Sequence, residues 1–380
     1  MPMIIDGDTH LFEPVDMWAT HADPGDRALA LAIERDELGD TWLTFQDRRI
    51  HPAEVQRPGD LTALGDWRRR RRAGEPAPVD YADALPDEYW DPDARVARLD
   101  TQGIDAAIAF PNFGLFWMRS LADRPDAIRV NLTAWNRWAA EIAASARGRL
   151  RPVGHVVLDD PEWLDAQLAY LARHGITAAM LPAAPVGGLP LSHPSLDGAW
   201  SAFERHGVSA VFHVSDFARP FDDAWYSTDV NPVEPLLMSM FIATPPMLAL
   251  TDLAVGGVLA RHPDLRIGLV EFMSAWLPGF LRTMDTCVAF HRRSNGLDDT
   301  LELTPSEYVR RQVRVATFGF ERPADLAREV GDVFLFGSDW PHAEGLARPL
   351  EDFTGRGGPP PSPETEGLYR ANAQWLLHDR

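Results

Sequence analysis

The feature that most constrains this chain is a repeat: a short apolar segment followed by a stretch with helical spacing, over and over. After a first apolar run at Met3-Ile4-Ile5, which leads into Asp6-Gly7-Asp8-Thr9-His10, such segments occupy 104–110, 150–158, 176–181, 208–213, 265–270, 312–317 and 333–336. They lack strict polar alternation, so both faces should be covered, as in a parallel sheet under helices. Helical stretches are expected over 125–146, from about 160, and over 194–206, 251–261, 276–290, 323–330 and 363–377. Another begins at Asp91-Pro92, with Asp91 as its cap and Gly103 as its stop. Eight strand-helix units in series predict an α/β chain folded as one (β/α)8 TIM barrel over 1–380, in preference to an open doubly wound sheet.

The stretch 15–92 departs from the repeat, being rich in Pro, Gly and charge with little helical period. Within it Thr41-Trp42-Leu43-Thr44-Phe45 alternates like a small strand. It is read as an insertion after the first strand, inside the same domain, that carries a β-ribbon and forms a lid or wall.

Composition removes whole classes of chemistry. A net charge of -20 and a pI near 4.9 repel polyanions, so neither nucleic acid nor an anionic membrane is expected as a partner. The basic cluster Arg68 to Arg72 is read as a solvated loop. All 36 basic residues are Arg, which excludes a Schiff-base lysine, a lysine base and a carbamylated lysine bridging two metals. Cys287 is the one cysteine, so an intrachain disulfide or thiolate metal site is excluded; its apolar neighbours over 284–290 suggest a core thiol. No Gly-rich phosphate loop follows a strand, which disfavours nucleotides. The N-terminus lacks signal-peptide features, and no run was found to approach the roughly 18 apolar residues of a membrane span. The expectation is a cytoplasmic protein whose partner is a small-molecule substrate; size does not force oligomerisation, though a homodimer is allowed. The lysine-free, Ala- and Arg-rich composition suggests a GC-rich bacterial genome.

In a (β/α)8 barrel the C-terminal strand ends carry the chemistry. Asp8 and His10 are two apart and point to one side of an extended strand end, where a carboxylate and an imidazole suit a metal ion. His213 ends the fifth strand, Glu271 the sixth, and Asp339 the eighth, with His342 and Glu344 just beyond; His155 lies within the third. One such residue is commonly a satisfied hydrogen bond or a helix cap. Four positions converging on one face point to a site.

These residues, with Arg98-Leu99-Asp100, Gly103-Ile104-Asp105, His262-Pro263-Asp264-Leu265 and Phe336-Gly337-Ser338-Asp339-Trp340-Pro341-His342, resemble the amidohydrolase-related family typified by aminocarboxymuconate-semialdehyde decarboxylase and the resorcylate-type decarboxylases. The resemblance covers nearly the whole chain. It implies one divalent metal ion held by Asp8, His10, His213 and Asp339, with Zn2+ favoured and Mn2+ also suited. It also implies a metal-dependent hydrolase or non-oxidative decarboxylase acting on a small carboxylated aromatic or muconate-like substrate. Many family decarboxylases have a histidine at the end of strand six, where this chain has Glu271. Glu271 then either moves protons or only hydrogen-bonds a ligand imidazole. Asp339, Glu271 and His342 are the catalytic candidates, although His342 and Glu344 equally suit a solvated or substrate-facing loop. Phe113, Phe116, Trp117, Trp225, Tyr226 and Trp340 either enclose a substrate ring or pack, and Arg119 is a candidate partner for a substrate carboxylate. The rival reading is a metal-binding barrel without turnover, serving as a scaffold or ligand-binding subunit; a metal-free aldolase is weakened by the missing lysine.

Overall fold

The computed structural model describes residues 3–62, 69–70, 73–75, 80–216, 220–226, 234–295 and 301–379. Eight parallel strands follow one another: Ile5–Leu11, Ala106–Pro111, Leu150–Pro152 continued by Gly154–His155, Ala178–Leu181, Ser209–His213, Ile267–Val270, Val313–Thr317 and Phe334–Phe336. The third strand joins two sheets, its first half pairing with the second strand (Ala107 with Leu150) and its second half with the fourth (Gly154 with Ala179). It is shorter than expected and breaks after Pro152, which brings no N–H to the ladder. A parallel bridge between Thr9 and Trp340 closes the eighth strand onto the first, with Asp339 N–H donating to the Asp8 carbonyl at 2.8 Å and His10 N–H to the Trp340 carbonyl at 2.8 Å. This is the expected TIM barrel.

The absence of alternation in the strands now has its cause. Ile5, Ile108, Val153, Met180, Val211, Val270, Ala316 and Leu335 form one apolar cluster, while Ala107, Leu150, Ala179, Phe212, Leu269, Val315 and Phe336 join the larger cluster shared with the helices. Leu376 and Leu377 join the inner cluster, and their carbonyls accept from Ser209 Oγ and Thr177 Oγ1, so the C-terminus plugs one end.

The stretch after the first strand contains an antiparallel sheet of Ala32–Arg35, Thr41–Phe45 and Arg48–Pro52. It also reaches the loop beyond strand eight: Ala343 N–H donates to Gln56 Oε1 at 2.8 Å, and Gly59 N–H donates to the Ala343 carbonyl at 3.0 Å. Of the basic cluster, Arg68, Arg71 and Arg72 lie outside the described residues.

Four expectations need correction. The helix over 251–261 starts earlier, as Thr244–Val255, because Pro245 and Pro246 fit its first turn, where no intrahelical N–H is needed. Gly256 and Gly257 then divide it from Val258–Arg261. Cys287 is exposed, while Met284 and Val288, four apart on the same helix, face the core. Finally, the stretch Leu236–Val255 is 20 residues with a mean hydropathy of 1.5, long and apolar enough to span a membrane by length and composition, contrary to expectation. In the fold it spans parts of two helices, Glu234–Met240 and Thr244–Val255.

Candidate metal centre

The barrel is closed by a seam that also builds the site. Gly7 is required there because an added Cβ would lie 2.2 Å from Leu335 Cδ1 and 2.9 Å from the Phe336 carbonyl oxygen. Asp6 Oδ1 accepts from the backbone N–H of Asp8 (3.2 Å) and of Ser338 (3.0 Å), tying strand one to strand eight. Burial pushes the Asp6 carboxyl up to about 7, against the pull of those hydrogen bonds. The seam leaves Asp8, His10 and Asp339 side by side at the strand ends.

His10 Nδ1 lies 3.2 Å from the Pro111 carbonyl oxygen, and His213 Nδ1 lies 3.0 Å from the Val214 carbonyl oxygen. A carbonyl only accepts, so both Nδ1 atoms carry the hydrogen and both Nε2 atoms of the neutral rings present lone pairs. These point at carboxylates. His10 Nε2 is 3.3 Å from Asp339 Oδ1, 3.5 Å from Asp8 Oδ1 and 3.8 Å from Glu271 Oε2. His213 Nε2 is 3.4 Å from Glu271 Oε2 and 3.6 Å from Asp8 Oδ1. Asp8, His10, His213 and Asp339 are buried and Glu271 is 13 % exposed. Polar atoms on all five (Oδ1 and Oδ2 of Asp8, Nε2 of both histidines, Oε2 of Glu271 and Oδ2 of Asp339) lack a hydrogen-bond partner. Buried groups of this kind are ordinarily paired, and carboxylates facing imidazole lone pairs are satisfied by a cation. The donor set therefore fits a divalent ion.

The electrostatics divide the carboxyl groups. Burial opposes charge on Asp339, but the His342 and His10 imidazoles outweigh it and hold Asp339 well below the usual carboxylate range. Burial, with the nearby Asp339 and Asp8 charges, raises Glu271 well above its ordinary value. Burial lowers His213 despite Asp8, which favours the neutral ring.

Glu271 and Asp339 both have left-handed backbone, with φ of 62° and 55°. Non-glycine residues adopt it at a cost of order 1–3 kcal/mol, which the surroundings must sustain. At Glu271 they do so through Glu321, whose Oε1 accepts from Ser274 N (2.5 Å) and Ala275 N (2.8 Å) while Oε2 accepts from Phe318 N (3.0 Å). Sequence reasoning missed Glu321. Its local contacts are with Phe318 and Thr317, three and four residues back.

The structure corrects the reading of His342 as part of a solvated loop. It is 3 % exposed; Nδ1 lies 2.7 Å from Asp339 Oδ1 and Nε2 3.1 Å from Asn112 Oδ1, with the ring stacked on His10 at 3.8 Å. Asn112 was not singled out. Its loop is held by Glu13, which accepts from Phe113 N (3.0 Å) and Gly114 N (3.2 Å). Glu344 is exposed.

Each ligand imidazole spends its Nδ1–H on a backbone carbonyl, so in its neutral form it has no N–H left to give Glu271. Phe113, Trp117 and Trp340 are packed in the core, Trp340 under Arg95 at 3.8 Å. Phe116 stacks on His51, and the Tyr226 side chain lies outside the described residues. Arg119 pairs with Asp223 at 3.0 Å. Trp225 lines a cavity of about 480 Å3 that opens beside His213.

The family model described as amidohydrolase matches residues 5–378. No curated protein matches the sequence. Among solved structures, an amidohydrolase from Mycobacterium avium subsp. paratuberculosis is 27% identical, with 99% of each chain covered and a TM-score of 0.81. The 5-carboxyvanillate decarboxylase of Novosphingobium aromaticivorans, complexed with manganese and 4-hydroxy-3-methoxy-5-nitrobenzoic acid, is 18% identical over 99% of this chain and 96% of the other, with a TM-score of 0.66. The 2,6-dihydroxybenzoate decarboxylase from Rhizobium is 19% identical over 100% and 99%, with a TM-score of 0.64. Because the family match runs from the first barrel strand to the C-terminal plug and takes in every strand end that builds the centre, the chain belongs to the amidohydrolase family.

Proposed function

We propose that the chain is a divalent-metal-dependent carboxy-lyase that removes CO2, without redox chemistry, from a small carboxylated aromatic or muconate-like acid. One observation carries this reading: five side chains bring unpartnered polar atoms, two of them imidazole lone pairs, into two overlapping groups that share His10. The decarboxylase of like fold that was solved with manganese supports it. Asp8, His10, His213 and Asp339 would hold the ion, with Glu271 at its edge. Two carboxylates and two imidazoles suit Mn2+ as well as the Zn2+ expected from sequence, and the manganese found in the decarboxylase of like fold favours Mn2+.

A bound divalent ion supplies Lewis-acid polarisation of a substrate oxygen. In the metal-free protein burial and the Asp339 and Asp8 charges hold the Glu271 proton well above the ordinary carboxyl range, which suits Glu271 to the role of acid. It gives that proton, from Oε2, to the carbon that loses the carboxylate: the bond to the carboxyl carbon breaks, a C–H bond forms, CO2 leaves, and solvent reprotonates Glu271. Asp339 is held ionised, with His342 positioning it. That ionised carboxylate also suits a base that takes a proton from water, so hydrolysis of a carbonyl compound is the second reading.

The test is metal analysis of gently purified protein, followed by assay of Mn2+-loaded enzyme against aromatic and muconate-type acids, with CO2 release as readout. One ion per chain, lost in His213→Ala but kept in His291→Ala, and CO2 release from at least one acid are expected. No ion, or two per chain, sinks the metal reading. Ester or lactone cleavage without any CO2 release replaces the lyase by the hydrolase.

A further inference from the structure

His213 belongs to two surfaces. Its Nε2 faces Asp8 and Glu271, and the residue also lines the cavity of about 480 Å3. The opposite walls come from the chain after strand five and from the helices Glu234–Met240 and Thr244–Val255, with Phe221, Trp225, Leu237, Phe241 and Ile242 as apolar side chains. Phe272, next to Glu271, is also part of the lining. The cavity therefore adjoins the metal centre across the His213 ring.

Its chemistry is one-sided. Among the described residues that line it none is Asp, Glu or Arg, and beside His213 the polar side chains are Ser215 and Ser239. A second carboxylate or an ammonium group on the ligand would be desolvated there with no partner of opposite charge among the described lining residues. The Arg119 guanidinium, the cation that sequence suggested for such a role, is occupied by Asp223 and is not part of the lining. Phe221, Trp225 and Phe241 are 41%, 55% and 50% exposed, wetted aromatic surface of the kind that an apolar ligand would cover. Size adds a second constraint. An apolar cavity of about 150 Å3 holds one benzene ring, so this volume matches two to three rings.

Building on the carboxy-lyase reading, we propose that this cavity selects an uncharged apolar body of two to three fused or linked rings behind the reacting head. The substrate is then a polycyclic or aryl-substituted monocarboxylic acid, in contrast to a single-ring acid bearing further polar groups.

The test measures dissociation constants of 2-hydroxybenzoate, 3-hydroxy-2-naphthoate and 3-hydroxyanthracene-2-carboxylate on Mn2+-loaded and chelated full-length protein, with 2-methoxynaphthalene as a probe lacking the acid head. Each added ring should tighten binding about tenfold, the worth of the apolar area it buries. In Leu237→Asp, and in Phe241→Asp at a half-exposed position, the ratio between hydroxybenzoate and naphthoate should collapse towards one. Equal constants for the three acids, or weaker binding with each ring, overturn the proposal. The two readings fail differently. Metal-dependent binding without any ring dependence refutes the apolar subsite and leaves the metal centre standing. Ring-dependent binding of acids and of 2-methoxynaphthalene alike, unchanged by chelation, retains the subsite and refutes the metal-held head.

Discussion

His10 turns its Nδ1–H towards the Pro111 carbonyl oxygen, 3.2 Å away, and so presents an Nε2 lone pair to the Asp339 carboxylate at 3.3 Å. Two electron-rich groups cannot face each other in a buried site unless positive charge sits with them. In metal-free protein a proton serves. Burial alone would lower the His10 pKa, but hydrogen bonds that its Nε2–H donates to Asp339 and Asp8, with their charges, raise it to about 9.

Metal uptake should therefore displace a proton. Titrating Mn2+ into chelated protein between pH 7 and 8.5, in buffers of different ionisation enthalpy, should release about one proton per chain from His10. Stability follows the same linkage. A histidine whose folded pKa lies above its unfolded value of 6.5 stabilises the fold fully below pH 6.5 and loses that contribution as pH rises to about 9. Chelated protein should thus lose up to roughly 3 kcal/mol over that window, and metal-loaded protein should not. Proton release near zero would contradict the assignment.

Glu271→Gln tests the proton carrier. The amide preserves shape and cannot transfer the proton, so turnover at saturating metal should fall about 100- to 10,000-fold. Circular dichroism and metal content should stay close to wild type. Full activity at saturating metal would remove Glu271 from the chemical step and leave Asp339 as the candidate.

The strand ends were legible because period-2 geometry puts Asp8 and His10 on one side, and because a polar residue at the end of an apolar segment is conspicuous in sequence. The partners that hold those ends were not. His342 reaches Asn112 across 230 positions and Glu321 reaches Ser274 across 47, contacts that exist only once the barrel closes. His342 was misplaced because the left-handed turn at Asp339 folds the following residues back into the protein, while the local sequence reads as an open loop. Cys287 was misread because its apolar neighbours were taken as one buried run, when the helical period gives the core face to Met284 and Val288.

The turn that carries Glu271 can be loosened from a distance. Glu321→Ala leaves the Ser274 and Ala275 N–H groups without their acceptor, a loss of about 1–3 kcal/mol for groups of this kind. Thermal unfolding should register that loss in full. Glu321→Gln keeps an acceptor oxygen and should recover most of the turnover lost in Glu321→Ala. A pair of variants equally impaired in turnover but equally stable would contradict a positioning role.

His155 is one of the histidines whose burial should make the fold sensitive to acid. It sits at the end of the third strand, 1% exposed, with Nε2 unpartnered, and burial, with a smaller contribution from neighbouring His213, lowers its pKa to about 3. A base whose folded pKa lies below its unfolded value leaves the unfolded chain binding the extra proton between the two. Stability is therefore intact above pH 6.5 and declines as pH falls from 6.5 towards 3, by up to several kcal/mol from this one group. Denaturant midpoints measured from pH 7 to pH 4 on chelated wild type and His155→Leu should diverge, the variant losing less per pH unit because nothing at 155 takes up a proton on unfolding. Parallel pH profiles would show that His155 is protonated, or solvated, in the folded barrel.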